Sequence, residues 1–268
     1  MEGKVAVITG AAKGLGRAFA EILLREGVKV CLCDINTENG RRTEKMLQEK
    51  YSNDRVFFMK CDATVDTELE STLNHVIERY GGIDILCNNA GIINEMDWKK
   101  TVAVNLSAVI HGTLLGLRYM GKAAGRPHGV IINIASVPGA VPMSYGPVYT
   151  ASKQGVVGFT HSVGFLSPNL NDVCVNCLCP TFVNADILKC DESAPDFVCS
   201  RDAQLVEPSR KMFDEVGIMG PEEVAESFLE LVMNESLSGA GFLITRASKS
   251  LLRMPLELPE LFDKYSSL

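Results

Sequence analysis

Tyr149 and Lys153 stand four apart in Tyr149-Thr150-Ala151-Ser152-Lys153, so on a helix they stack on one face. A free tyrosine titrates near pH ~10, too high for a base at neutral pH, and a neighbouring ammonium favours its phenolate. The pair is a candidate proton acceptor. Upstream, the apolar run Gly129–Ala135 ends in Ser136, whose hydroxyl is placed to bind a substrate oxygen beside the phenol. Asn105 interrupts Val102–Leu106, an apolar helical stretch in which asparagine is disfavoured unless it has a specific hydrogen bond to make. Asn105, Ser136, Tyr149 and Lys153 are the candidate catalytic set. Singly, each also fits a bland reading: an exposed Tyr–Lys helix pair, or a turn serine ahead of Val137-Pro138-Gly139.

A second constellation points to phosphate binding. Thr9-Gly10-Ala11-Ala12-Lys13-Gly14-Leu15-Gly16 lies between a short apolar strand and an amphipathic helix. Glycines at that junction permit a tight turn and let a pyrophosphate approach free amides at the helix N-terminus. Asp34 ends the next strand, where a carboxylate accepts hydrogen bonds from ribose hydroxyls and repels a 2′-phosphate. Lys13 pulls toward the phosphorylated cofactor, but Ile35 and Asn36 follow Asp34 with no arginine, so NAD is expected.

The elements that must position these residues alternate. Strands are expected at Val5–Thr9, Val28–Asp34, Arg55–Cys61, Ile83–Asn88, Gly129–Ile134, Val173–Leu178 and Gly241–Thr245. Helices are expected at Gly14–Glu26, Asn39–Glu49, Thr67–Tyr80, Lys99–Lys122, Tyr149–Leu166 and Pro221–Met233. Near-continuous apolar strands between helices give an α/β, Rossmann-type, doubly wound parallel sheet with helices on both faces. No repeat or linker divides residues 1–268, which read as a single domain. Gly10–Gly16, Asp34, Asp62, Asn88–Gly91, Ser136 and Pro180 all fall at carboxyl ends of strands, where such sheets bind ligands.

Composition excludes other classes. A formal charge of −7 without a basic run is poor for nucleic acid. The apolar stretch near Val102–Met120 carries Asn105, His111 and Arg118, so no membrane span is expected. Met1-Glu2-Gly3-Lys4 leads directly into a strand pattern with no targeting segment, and nine cysteines sit mostly in apolar runs, so a cytoplasmic protein is expected. Cys174-x-x-Cys177-x-Cys179 has metal-like spacing, but on a strand Cys174 faces away from the other two, so no metal is expected.

TGAAKGLG, Asp34, Cys61-Asp62-Ala63, Asn88-Asn89-Ala90-Gly91, Asn105, Ser136 and YTASK together resemble the short-chain dehydrogenase/reductase family. The resemblance implies NAD held by Gly10, Lys13, Gly14, Leu15, Gly16, Asp34, Ile35, Cys61, Asp62, Ala63, Asn89, Ala90, Gly91, Tyr149, Lys153, Pro180, Phe182, Val183 and Ala185. It further implies that Asp62 lies near the adenine, that Lys153 binds the nicotinamide ribose and lowers the Tyr149 pKa, and that Asn105 holds a water linking Lys153 to solvent. Ser136, Gly146, Tyr149, Phe182 and Val216 are the implied substrate contacts. The implied reaction is NAD-dependent oxidation of a secondary alcohol to a ketone by a homodimer or other homo-oligomer.

Longer stretches, among them GRAFAEILL, GTLLGLRYM and PVYTASKQGVVGFT, are similar to the branch of the family that oxidises hydroxyprostaglandins. A lipophilic hydroxylated lipid is the implied substrate, with a hydroxysteroid or a general alcohol or carbonyl compound as the alternative. Gly146 stands where that branch has a glutamine holding the substrate hydroxyl. Val216 replaces a tyrosine, Thr181 a glycine, and Ala185 a threonine that contacts the carboxamide. Gly146 and Val216 predict a wider, more apolar pocket. Residues 186–214 read as a substrate lid or a docked helical connection, and 246–268 as a tail over the core or a subunit interface. A nucleotide-binding sensor or scaffold without turnover is the reading from another class.

Overall fold

Alternating side chains on each strand settle how the sheet is covered. Strand β1, Val5–Thr9, sends Ala6 and Ile8 into one buried cluster and Val5 and Val7 into another. The first cluster holds helices α1, Gly14–Arg25, and α7, Pro221–Met233, with the rings of Phe19 and Phe228 stacked at 4.3 Å. The second packs against α3, Asp66–Tyr80, and α5, Ala108–Tyr119. Helix α2 is Thr37–Tyr51. The computed structural model describes residues 1–143, 146–183 and 217–252. The expected lid at 186–214, Ala185, Val216 and the tail beyond Leu252 lie outside the described residues.

The eight-stranded sheet adds β2, Lys29–Asp34; β3, Val56–Lys60; β4, Ile85–Asn88; β5, Gly129–Ile134; β6, Val173–Pro180; β7, Gly241–Ile244; and β8, Lys249–Leu252. Its order is β3-β2-β1-β4-β5-β6-β7-β8, with β1 to β7 parallel and β8 antiparallel to β7. The order reverses between β1 and β4, and a doubly wound sheet opens its ligand crevice at that point.

Three elements differ from expectation, each for a local reason. The single helix expected at Lys99–Lys122 is broken into α4, Trp98–Val102, a π-helical turn at Ala103–Ser107, and α5. The wide turn carries Asn105, whose side chain leaves the helix to bond the backbone of Ile92. Trp98–Tyr119 has the length and apolar content of a bilayer span, yet its small residues press on the sheet. A Cβ on Gly112 would lie 2.3 Å from Asn88 Oδ1, and one on Gly116 2.7 Å from Ile131.

Helix α6 runs Pro147–Asn171, past the expected end at Leu166, although Pro168 lies inside it. Proline removes the bond to the carbonyl four residues back, here Gly164, and the Ser238 hydroxyl donates to that oxygen instead at 2.7 Å. Strand β8 went unpredicted because its exposed sequence lacks alternation, and pairing with β7 makes it a strand. Cys177 and Cys179 share one apolar cluster while the Cys174 thiol donates to the Glu235 carbonyl, as the strand geometry predicts.

Candidate active site

The glycine turn after β1 needs its glycines. Gly10 and Gly14 adopt φ of +65° and +58°, which L side chains rarely take. A Cβ on Gly16 would sit 2.3 Å from the Gly10 carbonyl. Lys13, at the N-cap of α1, makes no side-chain cap, so that helix start depends on groups from elsewhere. Asn89 closes the floor by donating to the carbonyls of Thr9 and Gly10, while the Thr9 hydroxyl accepts from the amides of Asn89 and Ala90. The Asp34 carboxylate accepts from Ala12 N at 3.0 Å and Asn36 N at 2.9 Å, which fixes it at the rim. Asp62 is fixed likewise by Thr64.

These segments and the proton-transfer residues open onto one cleft of about 450 Å³. Gly10, Lys13, Gly14, Leu15, Asp34, Ile35, Cys61, Asp62, Ala63, Asn89, Ala90, Gly91, Pro180, Phe182 and Val183 line it. Ser136, Tyr149 and Lys153 line it too, with Ile92, Ile93, Val104, Met143 and Lys100 around them. Gly16 is packed beneath the turn rather than exposed in the wall. Gly146 is buried but is not among the lining residues, and a Cβ there would face Glu95 Oε1 at 3.6 Å. The same Cβ would lie 3.7 Å from the Tyr149 Cβ, so Gly146 stands beside the candidate proton acceptor without entering the cleft wall.

Within the cleft, Ser136 donates to the Pro180 carbonyl at 3.3 Å and lies close enough to the Tyr149 phenol to favour its ionised form. Lys153, 3% exposed, lies with Nζ 5.7 Å from the Tyr149 ring centre and donates to the Ile134 carbonyl at 2.8 Å. Burial lowers the Lys153 pKa to about 8. Burial also pushes Tyr149 up to about 12, against the pull of the Ser136 hydroxyl. The expected depression of Tyr149 by Lys153 is thus absent in this arrangement: the ammonium is turned to Ile134, and loss of water dominates both groups.

Asn105 is fully buried, and its side chain is already committed. Its Oδ1 accepts from Ile92 N, and its Nδ2 donates to Ile92 O and Ser152 Oγ. Ser152 in turn donates to the Tyr149 carbonyl at 2.7 Å. Gly91 lies between Asn105 Oδ1 and Lys153 Nζ, each 3.5 Å from where its Cβ would be. Sequence reasoning missed Thr9, Glu95 and Lys100. Glu95 accepts from the amides of Val148 and Tyr149, 53 and 54 residues away, and no local pattern encodes such a partner.

A glycine cradle that excludes side chains, a carboxylate at the ribose position and a phenol–hydroxyl–ammonium group in one cleft fit a nicotinamide dinucleotide beside an alcohol. Residues 4–195 match the short chain dehydrogenase family. The chain belongs to that family, and it is an oxidoreductase working with a nicotinamide cofactor. It is 41% identical over 246 residues to 15-hydroxyprostaglandin dehydrogenase [NAD(+)] of Bos taurus, covering 91% of this chain and 92% of that one. The Homo sapiens protein of the same name gives the same identity and coverage. A 3beta-hydroxysteroid dehydrogenase 2 of Eggerthella lenta is 35% identical, covering 67% of this chain and 71% of its own length. Among solved structures, an actinorhodin polyketide ketoreductase variant with NADPH superposes with a TM-score of 0.77 at 30% identity, covering 90% of this chain and 95% of that one.

Proposed function

We propose that the protein oxidises the hydroxyl of a lipophilic secondary alcohol to a ketone with NAD, and that the alcohol is a hydroxylated lipid of the 15-hydroxyprostaglandin kind. The observation that carries this reading is the Tyr149–Ser136 pair in a cleft walled by Ile92, Ile93, Val104 and Met143, in a chain 41% identical to dehydrogenases named for that substrate. Ser136 holds the substrate oxygen and Tyr149 receives its proton; Lys153 meets the ribose and Asn105 fixes the loop carrying Ile92. When bound, NAD supplies the hydride acceptor and a positive ring that favours phenolate. Asp34 sets the preference for NAD over NADP.

The 35% identity to a hydroxysteroid dehydrogenase favours a second reading, oxidation of a bulky sterol alcohol by the same residues. NADH formation over a panel of prostaglandin, hydroxy-fatty-acid and steroid alcohols separates the two. A single prostaglandin preferred over every steroid supports the first, and the reverse order supports the second. No NADH from any alcohol sinks both and leaves a nucleotide-binding sensor.

We also read residues 1–268 as one domain, since one sheet takes strands from near both ends of the described chain. A homodimer is supported by Phe165, Leu166 and Leu170, exposed along the end of α6, with Leu114 exposed on α5. A cytoplasmic location is supported by seven described cysteines that are all free thiols.

A further inference from the structure

Helix α6, which carries Tyr149 and Lys153, starts with a residue that cannot cap it. Gly146 is the N-cap and has no side chain, and Pro147 follows at the first helical position. The amides of Val148 and Tyr149 then have no partner within the helix, and an N-cap side chain normally accepts from one of these two positions. Both are taken by Glu95, from the loop between β4 and α4. Its Oε2 accepts from Val148 N and its Oε1 from Tyr149 N, each at 2.8 Å. Glu95 is only 6% exposed. A buried carboxylate at a helix N-terminus is favoured by the helix dipole and by charge-assisted bonds.

The same loop is held at its other end. Ile92 bonds Asn105 through both its N–H and its carbonyl, Asn105 reaches Ser152, and Ser152 holds the Tyr149 carbonyl. Tyr149 is thereby gripped on both backbone groups by one hydrogen-bonded circuit, and the circuit includes the cleft wall formed by Ile92 and Ile93. We infer that Glu95 is a positioning residue: it replaces, from a distant loop, the cap missing at Gly146, and so sets the Tyr149 hydroxyl against Ser136 and the substrate wall. This rests on the reading of Tyr149 as the proton acceptor.

The test is a rescue. A Cβ at Gly146 would make only ordinary contacts, 3.6 Å to Glu95 and 3.7 Å to Tyr149, so a serine fits there and restores a local cap. Four proteins are compared: wild type, Glu95→Ala, Gly146→Ser and the double variant. Misplacement of a catalytic group by about 1 Å costs roughly 100-fold, so Glu95→Ala should lower kcat by about 10- to 100-fold. NADH affinity, read by fluorescence titration, should stay within about twofold. Hydrogen exchange at Val148 and Tyr149 should accelerate at least about tenfold. The double variant should regain slow exchange and most of kcat.

Unchanged kcat in Glu95→Ala overturns the inference. So does a double variant whose amides are protected again while kcat stays low, because capping would then not be what Glu95 supplies. If Glu95→Ala fails to fold, Glu95→Gln keeps the volume but replaces one of the two acceptors with a donor, so only one of the two amides can be capped. Its kcat should fall by less than that expected of Glu95→Ala, with faster exchange at one of the two amides and NADH affinity held; unchanged kcat and exchange would overturn the inference. A wild-type protein inactive on every alcohol defeats the functional reading instead, and the exchange experiment still reports whether Glu95 caps α6.

Discussion

The two edges of one sheet treat buried charge in opposite ways. At the amino-end edge, Asp84 is 5% exposed and completely answered: its carboxylate accepts from Val5 N at 2.9 Å and from Arg126 at 3.1 and 3.0 Å, with Lys4 at 3.5 Å. At the carboxyl-end edge, Lys153 is equally buried but meets a neutral carbonyl, and Tyr149 meets a serine hydroxyl. Burial lowers the one to about 8 and raises the other to about 12. A charge with full partners holds structure together. Groups whose ionised forms lack solvent and partners are poised to exchange protons with whatever enters beside them.

The contrast breaks first at Tyr149. Tyr149→Phe deletes the proton acceptor and should lower kcat by about 10²- to 10⁴-fold, with NADH affinity and the urea midpoint unchanged. Near-normal turnover of that variant would remove the carboxyl-end edge from the chemistry. Asp84→Ala should do the reverse. It strands Arg126 and the Val5 amide, so unfolding in urea should show a loss of about 3 kcal/mol, while kcat per folded molecule holds. A fall in kcat with intact stability would show that the two edges are coupled.

A smaller effect concerns pH. The folded value of Lys153, about 8, lies below its ordinary 10.5, so its burial penalty is full below pH 8 and is relieved as pH rises toward 10.5. Between about pH 7.5 and 9.5 the cofactor-free protein should gain about 2 kcal/mol relative to Lys153→Met. Tyr149 acts in the other direction at higher pH, since the unfolded chain ionises from about pH 10 and the folded one only near 12. Parallel pH curves for wild type and Lys153→Met would mean that the ammonium is not desolvated.

The smallest effect is at the rim. Asp34 should favour NAD over NADP by at least about tenfold in kcat/KM, or about 1.4 kcal/mol, and Asp34→Ala should narrow that ratio. Equal use of both cofactors by the wild type would show that Lys13 outweighs Asp34.

Much of this was readable without coordinates. Strands β1, β4, β5 and β6 announce themselves as apolar runs, and the chemical residues follow directly at their ends. Helix α1 follows a glycine turn whose positive φ values only glycine takes easily. The helix ends were less legible. The helix expected to end at Leu166 continues through Pro168 because Ser238, seventy residues on, serves the carbonyl that the proline frees. Asn105 stood out as odd, but the π-helical turn that makes use of it depends on Ile92, thirteen residues earlier in the chain.

The sequence by itself determined which groups gather at the carboxyl-end edge. Hydrophobic period, glycine turns and the i to i+4 stacking of Tyr149 and Lys153 are properties of a few consecutive residues. Only the tertiary structure decided how those groups are held and tuned. In the sequence Gly146 is noticed only for a substrate contact, and in space it is also a helix N-cap without a side chain, with Glu95 accepting from the amides it leaves. Lys153 reads as the group that acidifies Tyr149, yet in the cofactor-free fold Lys153 is turned to the Ile134 carbonyl and burial moves both pKa values the other way. Hydrogen bonds across fifty residues and the loss of water depend on what the fold brings alongside, and no local spacing records that.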